Sequence, residues 1–116
     1  MDIYHGFFDL KSGQSDIEFA DDLARFMDYL KREEKIVSWR LMRRKLGLGP
    51  ESLGEFHIMI EVESLAQLDA AFGMVSERAG DVEKKHASVN QQVAGIKFAL
   101  YRDFPDPHRK RGEERF

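Results

Sequence analysis

Apolar and polar residues alternate in two segments of the chain, residues 55–62 and residues 95–104. In the first segment one face carries Phe56, Ile58, Ile60 and Val62, and the other carries His57, Met59 and Glu61. In the second segment Ile96, Phe98 and Leu100 lie opposite Lys97, Ala99 and Tyr101. Successive side chains of a β-strand point to opposite faces, so the alternation predicts two strands, each with one strongly apolar face.

Two further segments predict strands with less regular alternation. Residues 2–10 are rich in aromatic and β-branched side chains and run into a turn that contains Gly13. Residues 36–46 mix apolar and charged side chains and precede a loop rich in glycine and proline, with Gly47, Gly49, Pro50 and Gly54.

Helical signals separate these strands. Ser15 and Glu18 form a capping box, and apolar residues then recur at steps of three and four, which predicts a helix over residues 16–34. Ser64 and Gln67 form a second capping box before a stripe of Leu65, Leu68, Phe72 and Val75. We expect Gly80 to end that helix as its C′ residue, and residues 81–93 to form a weaker helical segment.

The resulting order, β-α-β-β-α-β, predicts an α+β ferredoxin-like fold. Right-handed crossovers place both helices on one face of a four-stranded antiparallel sheet and leave the other face open. We expect this domain to span residues 1–104 and a charged C-terminal tail to span residues 105–116.

The open face is predicted strand by strand. The third strand contributes His57, Met59 and Glu61, and the fourth contributes Lys97, Ala99 and Tyr101. In the second strand we place Arg40, Met42 and Arg44 on this face and Trp39 and Leu41 in the core. For the first strand we favour His5, Phe7 and Asp9, with Tyr4, Gly6 and Phe8 as the alternative. A face with this mixture of apolar and charged residues suits a two-fold symmetric interface, so we expect a homodimer through it.

Composition narrows the class of protein. The chain has no cysteine, which excludes disulfides, thiolate metal sites and cysteine nucleophiles. Its net charge of −3 argues against a nucleic acid partner. We find neither a signal peptide nor an apolar run long enough to span a membrane, so we predict a cytoplasmic protein with no membrane partner.

At this point the chain resembles the dimeric α+β barrels, whose ferredoxin-like subunits face each other around a cavity. The resemblance covers about residues 2–104 and rests on IYHGFFDLKSG, on EFHIMIEV and on the two-part helical region before GIKFALYRDF. The ending ALYRDFPDP–RGEERF is most similar to an uncharacterised bacterial group within that class. The superfamily includes haem-degrading and quinone-forming monooxygenases, other small enzymes and ligand-binding modules. Haem-degrading members use an Asn, a Trp and a His, residue types that this chain has in Asn90, Trp39 and His86. Those members carry the Asn near the first strand, where this chain has Tyr4, His5 and Gly6, so no haem site is predicted.

The open face also carries the candidate chemistry. His5 and His57 lie on the two predicted central strands, and neutral imidazole moves protons near pH 7. With Glu61 they form the predicted catalytic cluster. Arg40, Lys97, Tyr101 and Met59 are the predicted ligand contacts. No histidine spacing supports a metal site, and we predict neither metal nor cofactor.

Two functions fit these residues. The first is a homodimeric protein that binds a small polar or aromatic molecule in the barrel, with cofactor-free monooxygenase-like activity as its enzymatic form. The alternative is a non-catalytic dimeric module in which the same residues hold the interface together. For Arg43, Arg44 and Lys45 we expect solvated charges that protect an edge strand.

Overall fold

The computed structural model describes residues 1–76 and 80–106, with backbone only for residues 80–83. Its elements in chain order are β1 (Asp2–Leu10), α1 (Asp16–Arg32), β2 (Ser38–Arg43), β3 (Phe56–Val62), α2 (Leu65–Ser76), α3 (Gly80–Asn90) and β4 (Val93–Arg102). Residues 107–116 of the predicted tail lie outside this description. No helix in the described ranges is both long and apolar enough to cross a membrane.

The four strands form one antiparallel sheet in the order β2-β3-β1-β4, which is the predicted ferredoxin-like arrangement. His5 lies opposite Met59 on β3 and opposite Ala99 on β4. Arg40 on β2 also lies opposite Met59. Residues directly opposite one another share a face, so His5 stands on the same face as these neighbours. The favoured choice for the first strand is therefore correct.

The core lies between the other face of the sheet and the helices. Phe8 and Phe56 from the sheet pack against Phe19 of α1, with ring centroids 5.4 Å apart for Phe8 and Phe19. Phe19 and Val62 are completely buried. Trp39 packs at the edge of this core, and its indole N–H donates a hydrogen bond of 2.9 Å to Asp28. The apolar face of the sheet therefore packs against α1, as the alternation in the strands predicts.

Both predicted helix starts are present. Ser15 Oγ accepts a hydrogen bond of 3.2 Å from the backbone N–H of Glu18, and Ser64 Oγ accepts one of the same length from Gln67. The first helix ends at Arg32 rather than at residue 34, because Glu34 adopts a left-handed conformation with φ of 57° that turns the chain away.

Other element boundaries also differ from the prediction. The second strand covers only Ser38–Arg43 rather than residues 36–46. Gly80 begins α3 instead of ending α2.

The apolar face of β4 is less covered than its sequence suggests. Phe98 retains 57% of its exposure and Leu100 retains 51%. Their strand is an edge of the sheet, and the helix contacts with the sheet involve mainly β2 and β3. Tyr4 provides one neighbour for Phe98, with stacked rings 5.2 Å apart. Alternation therefore identified the correct face but not its burial.

Candidate functional site

Two histidines contact each other on the open face of the sheet. His5 Nδ1 lies 2.8 Å from His57 Nε2, so one ring donates its N–H to the other. The two residues lie on neighbouring central strands. His5 is opposite Met59 and His57 is opposite Phe7, so the two histidines are offset by two residues and form a diagonal pair on one face, within reach of side chains of this length. A single hydrogen occupies the contact, so the pair can exchange a proton between its two rings.

The surroundings favour the neutral form of both rings. Burial lowers the pKa of His5 below its ordinary value. Burial also lowers the pKa of His57, and the positive charge that His5 carries when protonated lowers it further. A neutral imidazole offers one acceptor nitrogen, as a general base requires.

Aromatic rings frame the pair. Phe7 stacks on His57 with centroids 4.2 Å apart and an interplanar angle of 16°. Tyr101 meets His5 edge to face at 5.2 Å. These contacts restrict the orientation of each imidazole, so the donor and acceptor remain aligned.

Beside the pair, the segment between β2 and β3 folds back on the sheet; we call residues 44–55 the β2–β3 loop. The Arg44 guanidinium donates hydrogen bonds to three loop carbonyls, those of Pro50 (2.9 Å), Leu53 (2.7 Å) and Gly54 (3.3 Å). At its far end the backbone N–H of Glu55 donates to Asp9 at 2.9 Å. The loop is thus tied both to itself and to β1.

Gly54 lets this loop approach the sheet closely. A Cβ at this position would lie 2.2 Å from the carbonyl carbon of Phe8 and 2.3 Å from its oxygen. Only a residue without a side chain fits there, so the loop backbone rests directly on the backbone of β1.

A cavity of about 240 Å³ lies between the loop and the sheet. Side chains from the open face line one side: Phe7, Met42 and His57. Loop residues line the opposite side, among them Leu48, Pro50 and Leu53. The cavity therefore places apolar walls next to one member of the histidine pair.

The structure gathers only some of the predicted site residues. Met59 lies between His5 and Arg40 in the register, and Tyr101 contacts His5. Lys97 instead donates to the carbonyl oxygen of Ser52 in the β2–β3 loop.

Glu61 is separated from His57 along β3. It lies four residues from His57, or about 13 Å at the rise of a strand. Glu61 is opposite Ile3, so it is diagonal to His5 on the side away from His57. No hydrogen bond joins Glu61 to either histidine in the part of the chain that the structure describes, and its place in the catalytic cluster stays a prediction.

Two arginines are also placed differently from the prediction of solvated edge charge. Arg43 lies on the helix side and forms ion pairs with Glu55 at 3.1 Å and with Asp16 at 3.0 Å. Arg44 lies beyond the end of β2 and binds loop carbonyls. Both guanidinium groups therefore bind nearby acceptors. The β2–β3 loop returns to the end of β2 and brings Glu55 and the loop carbonyl oxygens close to them.

Sequence reasoning missed the loop as a wall of the site. The glycines and proline of residues 47–54 predict only a turn region. The available signal was Leu53, an apolar side chain beside Gly54 that is half-buried in the structure.

The described residues contain no group of three or more metal-binding side chains that could hold an ion. The three residue types used for haem elsewhere have other surroundings here. Trp39 donates to Asp28, His86 lies 5.7 Å from the ring of Phe26, and Asn90 is exposed at the end of α3. These contacts support no cofactor pocket built from the three.

Solved structures with the same fold include a cofactor-independent oxygenase, a porphyrin-binding protein and a dimeric protein of unknown function. SnoaB of Streptomyces nogalater, a cofactor-independent oxygenase, has a TM-score of 0.68 and 10% identity, covering 93% of this chain and 97% of SnoaB. MhuD, solved with two manganese protoporphyrin IX molecules per active site, has a TM-score of 0.64 and 15% identity, covering 91% of this chain and 97% of its own. A dimeric Bacteroides fragilis protein of unknown function and ferredoxin-like fold has a TM-score of 0.53 and 8% identity, with 86% and 93% covered.

At these identities the similarity establishes the fold, that of the ferredoxin-like α+β barrel proteins. Comparison with curated proteins gives no match. The model of one family, described as "Family of unknown function (DUF6614)", matches residues 1–116. The chain therefore belongs to the DUF6614 family.

Proposed function

We propose that this protein is a homodimer that binds a small polar or aromatic molecule at the open face of the sheet and removes a proton from it. Cofactor-free, monooxygenase-like oxidation is the activity that this chemistry serves best. The observation that carries the proposal is the contact of 2.8 Å between His5 and His57, set among aromatic rings. Two neutral imidazoles in contact are an effective base for a weakly acidic organic molecule.

The structural neighbours support this choice of chemistry. SnoaB is a cofactor-independent oxygenase, and MhuD holds a porphyrin. Both have the fold of this chain, so the fold accommodates cofactor-independent oxygenation in one protein and a flat porphyrin in the other. In the proposed reaction dioxygen is the oxidant: one oxygen atom enters the product, and the other leaves as water with two hydrogens from the substrate.

Charges on the open face support the homodimer. Tyr101 is 64% exposed although it stands beside the histidine pair. Arg40 and Glu61 lie on the same face with opposite charges, and neither has a hydrogen-bonded side-chain partner within the described residues. A two-fold interface brings one patch against its own copy, so each arginine can meet the partner's carboxylate. The Bacteroides fragilis neighbour is itself dimeric.

The test combines solution mass with oxygen uptake. Light scattering should give twice the mass of the 13.5 kDa chain. An oxygen electrode should detect uptake with some members of a panel of aromatic hydroxyl compounds, and His57→Gln should reduce that uptake at least tenfold without changing the mass. A monomeric mass would refute the homodimer, and uptake unaffected by His57→Gln would refute the role of the pair.

The alternative, a dimer without ligand, is distinguished by Glu61→Gln. If this variant and His57→Gln both dissociate the dimer and no compound binds to the wild type, the open face serves only as an interface.

A further inference from the structure

We propose that the ligand-binding site is the cavity under the β2–β3 loop, contained within one subunit, and that it takes a flat molecule with one acidic hydroxyl group. This inference rests on the proposed function for the role of the histidine pair. The inference differs from the proposed function because it places the ligand beneath the loop of one subunit instead of between two facing sheets.

The walls of the cavity select for a small flat ligand. Phe7 and His57 both line the cavity and stack on each other, so the faces between the two rings are covered and a flat ligand contacts the outer faces and edges of the stack. Half-buried Leu53 provides apolar surface on the loop side, and Leu48, which is 77% exposed, lines the solvent-facing rim of the cavity. At about 240 Å³ the space is smaller than the roughly 300–1,000 Å³ typical of sites for drug-sized ligands, so it suits one or two rings.

His57 supplies the polar contact. Its Nε2 is occupied by His5, which leaves Nδ1 as the ring nitrogen with no hydrogen bond among the described residues. When His57 donates through Nε2, Nδ1 is an acceptor and binds a hydroxyl hydrogen. An aromatic ring against Phe7 and a hydroxyl on Nδ1 satisfy both the apolar wall and the single polar atom.

The electrostatic balance favours an acidic hydroxyl over an ordinary alcohol. Three charged residues line the cavity: Arg43, Arg44 and Glu55. Arg43 is paired with Glu55, whereas the hydrogen bonds of Arg44 all go to carbonyl oxygens. The charge of Arg44 therefore has no carboxylate against it in the described structure, and it stabilises an oxyanion in the cavity.

The pair gives the departing proton a route. The ligand O–H bond breaks as its hydrogen binds His57 Nδ1; the hydrogen on His57 Nε2 passes to His5 Nδ1; and His5 releases the hydrogen on its Nε2 to water. Each ring ends neutral, and the ligand has become an anion beside Arg44. No oxidant is needed for this step, so it can be observed separately from oxygenation.

The experiment uses 4-nitrophenol, whose anion is yellow, and nitrobenzene, which lacks the hydroxyl. We expect the wild-type protein to bind 4-nitrophenol at least tenfold more tightly than nitrobenzene and to increase the yellow fraction at pH 6.5. Leu48→Asp should weaken 4-nitrophenol binding at least tenfold. Leu46→Asp adds the same charge to the same loop; Leu46 and Leu48 are both exposed, at 91% and 77%, but only Leu48 lines the cavity, so Leu46→Asp should bind normally.

A third variant isolates the polar contact. His57→Phe keeps an apolar ring in place but removes the nitrogen, so it should bind 4-nitrophenol no better than nitrobenzene. Normal hydroxyl preference in this variant would overturn the role of His57. Equal binding by Leu48→Asp and Leu46→Asp would overturn the location, as would binding that disappears when the dimer is diluted to monomers.

Failure of this inference can be separated from failure of the proposed function. Oxygen uptake that is lost in His57→Gln but unchanged in Leu48→Asp keeps the function and rejects the loop cavity. Tight 4-nitrophenol binding that depends on Leu48, without oxygen uptake by any compound, keeps the cavity and rejects the oxygenase.

Discussion

Replacing Gly54 with alanine tests whether the β2–β3 loop must rest on β1. The added Cβ would lie 2.2 Å from backbone atoms of Phe8, so the two segments must separate by about 1 Å or more to reach ordinary contact. That movement strains the hydrogen bond from Glu55 to Asp9 and the carbonyl contacts of Arg44. Overpacking of this kind costs about 1–3 kcal/mol, and because the obstacle is backbone we expect the upper end, about 3 kcal/mol.

Urea unfolding followed by circular dichroism measures this loss. With a slope of about 1–3 kcal/mol per molar for a small domain, the midpoint of Gly54→Ala should fall by about 1 M or more. Gly73→Ala is the matched control. Nothing lies within 4 Å of its added Cβ in α2, and removing a helical glycine should stabilise the protein by about 0.5–1 kcal/mol. If Gly54→Ala unfolds at the wild-type midpoint, the close approach is not a constraint of the fold.

Three further predictions concern other parts of the molecule. Arg44→Lys should lower the free energy of unfolding by about 1–2 kcal/mol and speed proteolysis of the β2–β3 loop, because an ammonium group cannot reach three carbonyls in this geometry. The control, Lys45→Ala, should change neither the free energy of unfolding nor the rate of proteolysis. Burial lowers the pKa of His5 and His57, so the unfolded chain binds more protons than the folded protein below about pH 6.5. The free energy of unfolding should therefore fall as the pH drops from about 6.5 toward the lowered pKa values. In denaturation measured at several pH values, His57→Gln should reduce this dependence on pH. Ser15→Ala should cost about 1 kcal/mol in thermal or urea unfolding, through loss of the cap on Glu18, and an unchanged midpoint would refute the cap.

Much of the fold could be predicted because the strands carry a period of two. The apolar set of β3 has only one orientation that buries it, and this fixed the face of His57 and Met59. Because β1 and β3 are the central strands of this topology, the sequence pattern also predicts that His5 and His57 are neighbours. The face that a residue occupies on a strand follows from alternation, and the strand order follows from the order of the elements. Both can therefore be predicted from the sequence.

The remaining features depend on contacts between distant residues. Gly54 against the backbone of Phe8 and Lys97 against the carbonyl of Ser52 join segments that are about 45 residues apart, and no periodicity predicts such pairs. The burial of β4 was overestimated for a related reason, since alternation gives a side but not the presence of a helix above it. The separation of Glu61 from His57 is a further case, since a shared face does not fix the distance between two residues along a strand.

The acceptors of Arg44 have a consequence for how the cavity responds to acid. Carbonyl oxygens do not titrate, so the three bonds that Arg44 makes inside the loop do not depend on pH in the way that bonds to carboxylates would. Burial lowers the pKa of His57, the histidine on the opposite wall, so this ring becomes charged only when the pH falls below the ordinary histidine range. Acidification therefore changes the chemistry of that wall while the Arg44 bonds persist, and a ligand that leaves at low pH is released by the loss of the acceptor on His57.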